Sequence, residues 1–319
     1  MSCLDSKIRA FDSLVAGAAQ STYLDDATKI RWDDMPSCRK LRWAHDVVKD
    51  LGIDLPDHEN LASQPCVVAS LGPVTMWAPR SSNMHVLEAA LRVGAALICK
   101  SVRRAHVVVL PSTEPRLFPA AGTTIGFRNA NGGVNLNPTS KQPCSIILIR
   151  LEEMPKVLCH ELSHNYVPTT WPEDMVEELK MRLNVDPAMD LRPYEALAEM
   201  RAITFLLACL VAMGRTDSVA IWGLERQWAY EQSVRLMTHE RLSGLHMWTE
   251  KTNTLCYLHL RFLLMDTLPT GFPSNDFRAA TDTIMKRAEQ FVAWPGPVEG
   301  LSLRFTRPGG ISEMLLEHW

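Results

Sequence analysis

The chain has 319 residues, 46% hydrophobic and 22% charged, with a formal net charge of −3. That composition suits one large or two intimate globular domains and carries no nucleic-acid or membrane-surface signature at whole-chain level. The eight cysteines (Cys3, Cys38, Cys66, Cys99, Cys144, Cys159, Cys209 and Cys256) form no C-x-x-C pair and several lie in apolar runs, which points to buried thiols in a reducing, cytoplasmic setting.

No signal-peptide core accompanies Asp5, Lys7, Arg9 and Asp12, and the longest apolar run, 202–213, is too short to span a bilayer. Residues 1–60 read as an N-terminal helical segment, with a helix near 37–51 closed by Gly52 and Pro56. Cys66–Leu71 reads as a short buried strand, 84–103 as an amphipathic helix and His106–Leu110 as a β-branched strand. Arg103, Arg104 and His106 make a small basic cluster, read as a solvated helix end. Asn131-Gly132 is a hairpin-turn signal, and Phe127–Ala130 before it is the expected edge strand. Ser145–Ile149 is a further strand. The predicted order is strand, helix, strand, hairpin, strand, helix: an α+β lobe over 61–170. From 171 to 319 the chain reads as mainly helical (173–183, 193–213, 217–237, 251–266, 275–292). A β-like 301–305 and a terminal helix follow.

The helix after the last strand carries His160-Glu161-Leu162-Ser163-His164. Residues four apart share a helix face, so His160 and His164 can aim two imidazoles at one ion. Glu161 lies about 100° round the helix and flanks that ion. Two nitrogen ligands, an open position for water and a carboxylate beside it suit a zinc hydrolase. Pro155 in the first turn and Glu152 and Glu153 at the positive end of the dipole mark the helix start; Pro168 ends the run. Zinc needs another protein ligand, and no His follows before His239. The apolar helix 193–213 offers Glu195 and Glu199, four apart on one face. Glu195 is the expected ligand, and Glu199 the acceptor for the ring N–H of a ligating His. The reverse assignment is also open.

His160, Glu161, His164 and Glu195 resemble the pattern of gluzincin-type zinc metallopeptidases, with Glu199 where that family usually has Asp. The resemblance covers roughly residues 65–213. It implies a zincin-like lobe, its mixed sheet packed on the metal helix, an active cleft against the helical lobe, Zn2+ as cofactor and a peptide or protein substrate. Glu161 would be the general base. The oxyanion donor would be Tyr257, His259 or His246, with Tyr166 and Tyr194 as weaker candidates. An endopeptidase is slightly favoured; the alternative is a peptidase-fold interaction protein without activity.

Overall fold

The computed structural model describes residues 15–25, 27–53, 55–99, 104–136, 143–165, 170–214, 218–242, 247–265, 277–287 and 296–317. Its first half alternates β1 (Asp33–Met35), α1 (Arg39–Asp50), α2 (His58–Ser63), β2 (Cys66–Leu71), β3 (Val74–Pro79), α3 (Met84–Ile98) and β4 (Ala105–Ser112). Then come α4 (Phe127–Ala130), β5 (Gly133–Asn135), β6 (Cys144–Arg150) and α5 (Met154–Ser163). The strands form one six-stranded mixed sheet in the order β1-β2-β3-β4-β6-β5. Pairing is parallel from β3 through β4 to β6 and antiparallel elsewhere. The fold class is α+β.

Side-chain alternation along the central strands sets the layers. Val107 and Val109 of β4, with Ile146 and Leu148 of β6, face a core shared with α3 and α5. Val108, Leu110, Ile147 and Ile149 face the opposite core, filled by Leu41, Ala44 and Val48 of α1. The described part of the N-terminal segment thus covers one face of the sheet.

The second half holds α6 (Glu173–Arg182), α7 (Tyr194–Ala212), α8 (Ser218–Leu242), a π-helical turn at Leu255–Leu260, α9 (Arg261–Met265), α10 (Phe277–Arg287) and α11 (Ile311–Leu316). Helix α7 belongs to both halves. Ala202 to Leu210 pack into the core under the sheet, and Ala196 to Met200 into the helical core. Among the described residues, no helix is long and apolar enough to cross a membrane.

Two sequence expectations are corrected. Phe127–Ala130 is a short helix and not an edge strand, and Asn131-Gly132 is the loop after it and not a hairpin turn. The cause is local and distant at once. Asn129 accepts the Gly126 N–H through its side chain (3.1 Å), and its own N–H bonds the Gly126 carbonyl (2.9 Å), closing a helical turn. Buried Arg150 then takes the carbonyls of Glu114, Arg128 and Asn131, leaving them unable to join a ladder. The edge strand is β5, and its antiparallel partner is β6. The sequence reading also lacks β3, which returns antiparallel to β2 across Gly72-Pro73, with Gly72 at φ +54°.

Gly94 sets how closely α3 approaches α5. A Cβ there would sit 2.8 Å from Leu158 Cδ2 and 3.3 Å from Leu162 Cδ1. Gly94→Leu is predicted to overpack this contact and lower unfolding free energy by about 1–3 kcal/mol. Denaturant unfolding checks it; an unchanged midpoint would mean the two helices do not meet there.

Candidate metal centre

Helix α5 is buried over its whole length. Its start is fixed by Glu153, which takes left-handed backbone (φ 58°) so that its carboxylate turns inward. That carboxylate pairs with Arg116 and accepts the Phe305 N–H (3.1 Å) and the Thr306 N–H and hydroxyl. Residues 305–306 are thereby pinned to the N-terminus of α5. Pro155 occupies the first turn, where its missing N–H costs nothing. At the other end, Asn135 of β5 donates its side-chain N–H to the Glu161 carbonyl (2.8 Å).

His160, Glu161 and His164 offer ligand atoms all within 4.8 Å of one another. They expose only 5%, 7% and 8% of their surfaces. Helix α7 crosses them and delivers Glu195 Oε2 to 3.2 Å from His160 Nε2 and 3.4 Å from His164 Nε2. Three ligand atoms therefore converge from two helices. The Glu195 oxygen is buried and aimed at both rings, yet it completes no hydrogen-bond geometry with any donor among the described residues. A buried anionic oxygen between two imidazoles needs positive charge there, from a ring proton or from a metal ion. Two imidazole nitrogens and a carboxylate, held this way, fit a divalent metal; the donor set suits zinc among others.

Glu199, one turn further along α7, lies behind the first imidazole. Its Oε1 is 3.1 Å from His160 Nδ1 and also pairs with buried Lys156, while its Oε2 is 3.7 Å from Arg261 NH1. An ionised Glu199 beside Nδ1 favours a proton there and leaves Nε2 for a ligand. Burial works against ionisation, but Lys156, His160 and Arg261 hold the Glu199 carboxyl well below the usual carboxylate range. Burial likewise opposes Glu195, whose carboxyl the two imidazoles hold down at about 2. Burial lowers His160, but Glu199 and Glu195 outweigh it and push the ring up to about 10. Glu161 is raised, because burial outweighs the pull of the two imidazoles.

The cleft in front of these residues has a volume of about 300 Å³, and Tyr257, Tyr194 and Asn253 close its far side. Tyr257 sits on the π-helical turn with its ring edge-on to His160 (centroids 5.4 Å, planes at 87°). That turn is anchored by buried Glu250, which accepts the N–H groups of Thr254 (2.8 Å) and Leu255 (2.9 Å). Phe305 backs the Tyr257 ring at 5.2 Å. His259 is two residues on and points elsewhere: it is buried against the Ser233 hydroxyl (2.8 Å), and burial lowers it to about 4. His246 and Tyr166 lie outside the described residues. Tyr194 stands 6.3 Å from the His164 ring. Cys159 is a core thiol whose pKa burial raises.

The sequence reading missed Lys156 and Phe305. Lys156 carried a signal, since it lies four residues before His160 and so on the same helix face. Phe305 carried none.

Comparison with known proteins gives no match: no family model, no curated protein and no solved structure is significantly similar to this chain.

The Lys156–Glu199 pair is 1% exposed on each side. Lys156→Met is predicted to cost about 3–5 kcal/mol, because it leaves Glu199 undercompensated. The double change with Glu199→Gln should cost well under the sum of the single changes. Urea unfolding of the four proteins measures this coupling, and additive losses would deny it.

Proposed function

We propose that this chain is a zinc-dependent metallopeptidase with the zincin-like arrangement that its motifs resemble. The observation that carries the reading is Glu195 Oε2 standing within 3.4 Å of both imidazoles of the His-Glu-x-x-His helix. His160, His164 and Glu195 would hold the ion, leaving an open side toward the cleft. Zinc bound there supplies Lewis-acid charge that makes a water acidic near neutral pH and polarises a carbonyl.

The protein's own groups do the remainder. Glu161 accepts the proton of the attacking water and passes it to the leaving amine. Tyr257 donates its hydroxyl hydrogen to the developing oxyanion, and Phe305 behind it limits where the ring can go. The substrate is an extended peptide laid along β5. Gly133, Val134 and Asn135 line the cleft, and the outer edge of β5 pairs with no strand among the described residues. Gly133 lets β5 lie close against α5: a Cβ would meet Val157 at 2.9 Å and Glu161 Oε1 at 3.2 Å. An open cleft suits internal cleavage, so an endopeptidase is the favoured form. Seven described cysteines are free thiols, which suits a cytoplasmic, reducing setting.

The purified chain is expected to carry one zinc, lost in His160→Ala and Glu195→Gln, and to cleave a proteome-derived peptide pool in a chelator-sensitive way. Glu161→Gln should retain zinc and abolish cleavage. Tyr257→Phe should retain zinc and lower kcat by about 10²–10³-fold, the usual cost of one oxyanion donor. Stoichiometric zinc with no cleavage by the wild type would establish instead an inactive peptidase-fold protein.

A further inference from the structure

The cleft presents one guanidinium among its described lining residues. Of the described residues that line it, only Arg192 is a lysine or arginine. The same side chain also lines two flanking cavities, of about 370 and 540 Å³, so it stands where the three spaces meet. It is tied rigidly to the metal centre. The Glu195 N–H donates to the Arg192 carbonyl (3.0 Å), placing Arg192 one helical turn before the expected ligand.

The guanidinium is held, yet accessible. Its Nε and NH2 meet Asp190 Oδ2 at 2.7 and 2.5 Å. These contacts use one edge of a planar fork that carries five N–H groups. The side chain is 47% exposed, so an incoming anion need not open the fold to reach it. Besides Asp190, three acids that line the flanking cavities are engaged elsewhere. Asp186 Oδ1 takes the Ala188 N–H (2.8 Å), Glu250 caps the π-helical turn, and Glu177 pairs with Lys180 (3.0 Å). Lys251 adds a second cation on the 370 Å³ cavity. Within the cleft Tyr194 and Asn253 flank Arg192 as uncharged groups, and the nearby Glu195 carboxylate favours its charged form.

We infer that Arg192 is a specificity-determining residue that takes a carboxylate of the peptide beside the scissile bond. This inference rests on the metallopeptidase reading above. An oriented guanidinium matches a carboxylate in planar, two-point fashion, which a lysine at the same place could not do. The carboxylate comes from an acidic side chain or from a free C-terminus.

The test uses zinc-loaded protein and binding, so that it does not depend on turnover. The probes are two peptide hydroxamates, identical except that one carries a carboxylate where its twin carries a carboxamide. Wild type should bind the carboxylate form about tenfold more tightly, the scale of one charge-assisted contact. Arg192→Met should abolish the preference while zinc content and affinity for the carboxamide twin stay unchanged, and Arg192→Lys should restore only part of it. A peptide set varying Glu against Gln, and free against amidated C-termini, then shows which carboxylate is read. Equal affinity for the twins in wild type, or a preference that survives Arg192→Met, overturns this inference alone. Failure of both twins to bind zinc-loaded wild type overturns the metallopeptidase reading, and this inference with it.

Discussion

The structure depends on the burial of α5 together with its charges. Lys156, His160, Glu161 and His164 all lie on a helix that solvent barely touches. Removing an ion from water costs several kcal/mol even after relaxation, so an ionised group on such a helix calls for an opposite charge inside the protein. The elements around α5 supply those charges. Helix α7 brings Glu195 and Glu199, α9 brings Arg261, and Arg116 answers Glu153 at the helix start. An apolar α5 of the same volume would pack as stably without any of this. The polar strip thus gathers perturbed carboxylates and imidazoles beside a cleft.

The same constraint explains the small residues nearby. Gly94 brings α3 close to Leu158 and Leu162, which shields the apolar side of α5. Gly133 lets the backbone of β5 pass close to the Glu161 carboxylate. Two glycines thus let neighbouring elements close on α5 from two sides.

Much of this was legible in the sequence, for reasons that differ by element. The pairing of His160 with His164 follows from helix spacing alone. Glu195 and Glu199 stood out because carboxylates are rare on so apolar a helix. Strand β2 runs Cys66–Leu71, as read. By contrast, Phe127–Ala130 looks β-prone in isolation, and its conformation depends on Arg150, some twenty residues later. Strand β3 was hidden by the prolines at 73 and 79, which read as punctuation. Of the three oxyanion candidates, only the fold could separate Tyr257 from His259, since a π-helical turn redirects both. The partner of Lys156 is 43 residues away, beyond any local pattern.

The grip of Glu153 on Thr306 joins residues 153 positions apart, and Glu225 holds the N–H groups of Arg307 and Ile311 in the same stretch. Long-range closures of this kind form late, because the chain entropy they remove must be met before their contacts are made. The wall behind Tyr257 is therefore set by contacts that span nearly half of the sequence. The Tyr257 ring thereby depends, through Phe305, on a carboxylate at the start of the two-histidine helix.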